Sequence, residues 1–135
     1  MKNIIFAVAI LFPLISLSQT DKIGISKTQI INSINSKPCK TDYNSVWYCL
    51  DNGMLVNYEF MYEKVSAILT MYEFESEYQA RQNVSTEINK YKMSYGKPEM
   101  NGDKAFFFSG NYLFMISYGY TNGKHYSCLR VSQVK

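Results

Sequence analysis

The sequence predicts an α+β fold of two successive helix-plus-antiparallel-strands units, ordered α-β-β-β-α-β-β-β, with the helices packed on an antiparallel sheet. Three observations predict it. Two Ser-x-x-Gln segments, Ser26 to Gln29 and Ser76 to Gln79, each open an apolar stripe at helical spacing. Asn52-Gly53 and Asn122-Gly123 stand between runs of alternating apolar residues, and Asn-Gly is the strongest short-range hairpin signal. The chain also carries 12 Tyr, 8 Phe and 1 Trp in 135 residues. Such residues suit a pleated, half-buried surface.

In the first unit, Ser26 can cap a helix while Gln29 reaches back to it, with Ile25 and Ile30 at the staple positions. Ile30, Ile31 and Ile34 form its apolar stripe, and Pro38 blocks continuation. A hairpin follows, Val46 to Leu50 and Leu55 to Phe60 around Asp51-Asn52-Gly53-Met54. A two-residue type I′ turn over Asn52-Gly53 would set Trp47 opposite Tyr58 and Cys49 opposite Val56. Those four residues, with Phe60, are then expected to form the core face. Val65 to Phe74 alternates as a third strand.

The second helix should begin at Ser76-Glu77-Tyr78-Gln79. Ala80, Val84, Ile88, Tyr91 and Tyr95 recur on one face, Gly96 offers a left-handed C-terminal residue, and Pro98 prevents resumption. A three-stranded meander closes the chain, turning at Gly110-Asn111 and Asn122-Gly123. Ala105, Phe107, Phe114, Ile116, Tyr118, Leu129 and Val131 fall on one face. Phe106, Phe108, Leu113 and Met115 fall on the other, where a sheet covered on one side should be polar. Either another segment covers these four, or they form a candidate partner face.

The first 18 residues read as a cleaved secretory signal. Lys2 supplies the basic start, Ile4 to Ile15 the apolar run, and Ser16-Leu17-Ser18 the small residues before a cut between Ser18 and Gln19. The run is far short of the roughly 20 apolar residues that a spanning helix needs. Residues 19–135 are then one small α+β domain, secreted or periplasmic, with no transmembrane span after cleavage. Loss of Lys2 lowers the net charge from +3 to +2. Charge this small, with both signs mixed, excludes a nucleic-acid footprint; the cluster Lys90, Lys92 and Lys97 fits a helix C-terminus instead.

The first unit resembles a known pattern. Gly24-Ile25-Ser26, Gln29-Ile30, Pro38, Trp47-Tyr48, Asn52-Gly53, Val56-x-Tyr58-x-Phe60 and Lys64-Val65-x-x-Ile68 are similar to the repeat of the β-lactamase-inhibitor-protein-like class. That class includes the SmpA/OmlA small outer-membrane assembly lipoproteins. The resemblance covers about residues 24 to 70 and rests on capping, turn and core aromatic residues. It implies an exported helix-plus-sheet module that binds other proteins and performs no chemistry. The lipidated Cys of the lipoproteins is missing, so a membrane tether does not carry over.

No catalytic, cofactor or metal site is expected from the residues. The chain has a single His, His125, placed beside a turn. Alternation sets His125 against Tyr120 and Cys128 against Ser117, on opposite faces, which separates the elements of a Cys–His pair. Glu59, Glu63, Glu73, Glu75 and Glu77 lie near strand ends and the second helix start, where acids suit the helix dipole. Asn83-Val84-Ser85 matches a glycosylation sequon but falls inside the predicted helix. With 3 Cys in an exported chain, Cys39 with Cys49 is the favoured disulfide, and Cys49 with Cys128 the alternative. The expected function is an exported, non-enzymatic protein-binding or envelope accessory module. The alternative is a small secreted hydrolase or ligand-binding effector with a shallow, Tyr-lined site near His125.

Overall fold

The computed structural model describes residues 19–134, so the predicted leader lies outside the described residues. Helix α1 spans Lys27–Ser33. Four strands follow, β1 (Lys40–Asp42), β2 (Ser45–Cys49), β3 (Met54–Met61) and β4 (Lys64–Phe74). Helix α2 spans Glu77–Tyr95 and leads into β5 (Glu99–Asn101), β6 (Lys104–Ser109), β7 (Tyr112–Thr121) and β8 (Lys124–Gln133). The strands form one antiparallel sheet in the order β1-β2-β3-β4-β8-β7-β6-β5. Each half is a meander of neighbouring strands, and the halves join through their last strands, β4 and β8.

Each half therefore holds one strand more than the sequence predicts. β1 and β5 are three residues long, exposed at every position and lie at the sheet edges. No buried face imprints an alternating pattern on them, so periodicity cannot reveal them.

Both helix starts follow the capping logic. The Ser26 Oγ accepts the Gln29 backbone N–H at 3.2 Å, and the Ser76 Oγ accepts that of Gln79 at 3.2 Å. Gly96 takes φ 82° at the end of α2 and returns its N–H to the Lys92 carbonyl at 2.9 Å. Helix α1 stops well before Pro38. Ile34 is already extended, and the Ser33 hydroxyl donates to the Ile30 carbonyl at 2.8 Å.

The β2–β3 register corrects the predicted one. Val46 faces Tyr58, Trp47 faces Asn57, Tyr48 faces Val56 and Cys49 faces Leu55. The connection is a three-residue loop, Asp51-Asn52-Gly53. The Leu50 N–H donates to the Met54 carbonyl at 2.8 Å, and Gly53 supplies the left-handed residue at φ 79°. One residue of slip moves every side chain to the other face. Val46 and Tyr48 join Val56, Tyr58 and Phe60 in the core, while Trp47 and Cys49 move to the opposite face.

A bulge between Glu59 and Phe60 adjusts the next pair. Glu59 faces Ala67, but Phe60 faces Val65. The Ser66 hydroxyl donates to the Glu59 carbonyl at 3.2 Å across this step. Val65 and Ile68 thereby both enter the first core cluster, with Ile30 of α1.

The second cluster joins Val84 and Tyr91 of α2 to Ala105, Phe107, Phe114, Ile116, Leu129 and Val131, matching the predicted meander face. The Tyr91 ring lies 5.6 Å from Phe107 and 5.7 Å from Phe114, and Tyr95 stacks on Phe114 at 5.2 Å. Glu87 interrupts the apolar stripe of α2. It is buried and ion-paired with Lys90 at 3.1 Å. Desolvation raises its carboxyl above the ordinary range, and the Lys90 ammonium offsets part of that shift.

Candidate functional site on the second face of the sheet

Pairing aligns the side chains of the second face in rows across the strands. One row crosses all eight strands as Lys40, Trp47, Asn57, Leu69, Arg130, Met115, Phe106 and Glu99. Beside it runs Ser45, Glu59, Ala67, Ser132, Leu113 and Phe108. On its other side run Cys49, Leu55, Met71, Cys128 and Ser117. Phe106, Phe108, Leu113 and Met115 thus meet as two cross-strand pairs, Phe106 with Met115 and Phe108 with Leu113. Phe108 is 52% exposed, and the other three are half-buried.

The face reaches beyond those four residues. Met71, Tyr126 and Cys128 form a buried cluster with Trp47, Leu55 and Leu69 packed against it, and among the described residues no helical residue belongs to it. Sequence reasoning missed Trp47 because its register turned β2 the other way. No local signal could have placed it, because Asn52-Gly53 suits either loop length.

An ion pair crosses this apolar surface. Arg130 directs Nε to Glu59 Oε2 at 3.1 Å and Nη2 to the same oxygen at 2.9 Å. The pair spans β4 between Ala67 and Leu69, so the Arg130 stem lies along apolar neighbours while its head stays half-exposed.

One end of the face is concave. In a flat sheet β2 and β7 would be four strand spacings apart, about 19 Å. Yet Trp47 and Cys49 of β2 line the same cleft as Thr121 and Asn122 at the β7–β8 turn, over Leu55, Met71 and Tyr126, with a volume of about 460 Å3. The cleft therefore spans from β2 to the β7–β8 turn.

The Cys39–Cys49 disulfide forms one wall of this cleft. The Cys39 N–H donates to the Trp47 carbonyl at 2.8 Å, which extends the β1–β2 ladder and holds the two Cys side by side, with Cα atoms 5.8 Å apart. The alternative pairing of Cys49 with Cys128 is thereby excluded. Cys128 is a buried free thiol whose pKa desolvation pushes up to about 11. A reactive Cys needs the opposite shift.

His125 lies on the core side, opposite Tyr120 in register, and its Nδ1 sits 2.7 Å from the Tyr118 hydroxyl. The Arg81 guanidinium lies 4.2 Å from the centre of the Tyr118 ring and bonds Glu77 at 2.9 Å and Asp103 at 3.0 Å. The Asp103 carboxyl is held below its ordinary value, chiefly by its hydrogen bond from Arg81. The acids singled out in the sequence are separated in their bonding: Glu59 takes Arg130, Glu73 takes Lys124 at 3.0 Å, and Glu77 takes Arg81. Asn83 of the sequon lies within α2. Among the described residues no group of His, Cys, Asp and Glu converges to hold a metal, and no helix is long and apolar enough to cross a membrane.

No family model, curated protein or solved structure matches this chain.

Proposed function

We propose that this chain is an exported, non-enzymatic protein-binding or envelope accessory module whose partner surface is the second face of the sheet. In this reading both helices pack on the core side and leave the other side to a partner. The observation that carries it is the row from Trp47 to Phe106, where Trp47, Leu69, Met115 and Phe106, with Asn57 and Arg130 between them, place apolar side chains in positions a one-sided sheet would make polar. Arg130 and Trp47 within that row supply residue types that dominate binding hot spots. The similarity of residues 24 to 70 to exported binding modules supports the same reading. The disulfide is compatible with an oxidising compartment.

The test is affinity capture of the tagged mature chain from its native envelope and medium, read by quantitative mass spectrometry. A partner recovered near stoichiometry should be lost with Phe108→Asp and with Met115→Asp, while circular dichroism and melting stay native-like. Capture unaffected by both substitutions removes this face as the partner site. Unfolding of both variants assigns it to the core.

The Tyr118–His125 contact supports the alternative, a ligand-binding effector with a Tyr-lined site. An activity found for the chain that survives His125→Ala would remove that alternative's main residue.

A further inference from the structure

We propose that Gln19 becomes the mature N-terminal residue and is closed to a neutral pyroglutamyl ring buried against β4. This rests on the export reading above, because only leader removal gives Gln19 a free α-amine. The proposal joins two independent features, the small-residue cleavage pattern Ser16-Leu17-Ser18 and the burial of the residue after it.

In the full chain Gln19 is 3% exposed. Its side-chain Nε2 donates to the Oγ1 of Thr70, itself 1% exposed in the middle of β4. Its Oε1 is buried and has no hydrogen-bond partner among the described residues. A cavity of about 280 Å3 adjoins it, walled by Tyr48, Leu50, Val56 and Tyr58, with Lys22 at its side. An α-ammonium at Gln19 would be a desolvated charge in this apolar setting, with the Lys22 cation as a neighbour. Both effects disfavour the charged form.

Ring closure removes that charge without a cofactor or an external reactant. The α-amine nitrogen attacks Cδ of the same side chain and forms the lactam C–N bond. The Cδ–Nε2 bond breaks, and Nε2 leaves as ammonia with the proton released by the amine. The ring keeps one carbonyl and one N–H. The Thr70 hydroxyl accepts from Nε2 in the open form and can donate to the ring carbonyl once Nε2 is gone, because a hydroxyl serves both roles. The closed residue is small, uncharged and suited to the cavity wall.

The test is intact mass and N-terminal peptide mapping of the reduced, exported protein, expressed as the full chain with its own leader. The expected product begins at residue 19, is about 17 Da lighter than encoded, the mass of ammonia, and gives no α-amine labelling. Pyroglutamyl aminopeptidase should release the ring from the unfolded chain and spare the native one. A chain starting at residue 19 with a labelled amine overturns ring closure and leaves the export reading standing. A chain that keeps residues 1–18 overturns the export reading and this proposal with it. Equal release from native and unfolded protein overturns the burial of the ring.

Discussion

Gly119 and Cys128 approach so closely on the second face that a Cβ on Gly119 would lie 3.0 Å from the Cys128 Sγ. Gly119 has ordinary strand geometry, so it is the neighbouring sulfur and not the backbone that requires glycine here. Gly119→Ala should destabilise the fold by about 1 kcal/mol through overpacking. In a Cys128→Ala background the same change should become neutral or stabilising, since Ala orders a strand better than Gly. Urea melts of the four-member cycle measure this, and additive effects would refute the contact.

Burial of Cys128 has a pH consequence. Its folded pKa of about 11 exceeds its ordinary 9.0, so the protonated thiol favours the fold. That contribution is present below pH 9 and is lost as the pH rises from 9 toward 11. Cys128→Ala should flatten this part of the stability profile. In the native protein at pH 8, a thiol reagent should leave Cys128 unmodified until the chain unfolds.

Glu87 works with the opposite benefit at neutral pH. Its raised carboxyl pKa means that the protonated form favours folding, so this stabilisation is complete in acid and is lost as the pH rises through the carboxylate range. Tyr72 reports the same surroundings, its phenol pushed up to about 12 by desolvation and then by the Glu87 charge. Glu87→Gln should therefore stabilise the protein by about 1 kcal/mol at pH 7, and the gain should shrink as the pH falls below 5. Thermal melts across that range provide the check. A pH-independent difference would mean that lost packing, not charge, governs the site.

The β3–β4 turn carries avoidable strain. Tyr62 and Glu63 both take positive φ, at 53° and 63°, in a two-residue turn closed by Met61 and Lys64. The equivalent turn in the second half uses Asn122 and Gly123 at 54° and 74°. Replacing Tyr62-Glu63 with Asn-Gly should stabilise the fold by about 1–2 kcal/mol, because those residues adopt the left-handed region cheaply. The Glu63 carbonyl that accepts the Lys27 N–H at 2.8 Å is retained. A lower denaturation midpoint would instead give the Tyr62 or Glu63 side chain a structural role.

The Cys39–Cys49 bridge closes a short loop, a separation of 10 residues, around the β1–β2 edge. Replacing both Cys with Ser should cost about 2–3 kcal/mol, mainly by freeing the unfolded chain. The cleft bounded by Trp47 should loosen before the sheet as a whole, seen as faster exchange of the amides in β1 and β2 than in β7 and β8. Uniform exchange would place the bridge outside the determinants of that edge.

The sequence by itself determined the features whose causes lie within a few residues. Ser26 and Ser76 cap helices because a hydroxyl bonds an N–H three residues away, and Gly96 ends α2 because few other residues accept its φ. The turns at Gly110-Asn111 and Asn122-Gly123 and the meander faces they set are local in the same sense, whereas the choice of Cys39 over Cys128 as the partner of Cys49 needed the structure. Tertiary structure alone decided the rest. Asn52-Gly53 fits a two-residue and a three-residue loop equally well, and only packing of Val46 and Tyr48 against Ile30 and Ile68 selects the second. Joining β4 to β8 matches residues some 60 positions apart, so that Leu69 meets Arg130 and Met71 meets Cys128. No local pattern encodes that match. It arises because the last strand of each half has one unpaired edge, and pairing the two edges buries both sets of backbone donors and acceptors in a single sheet.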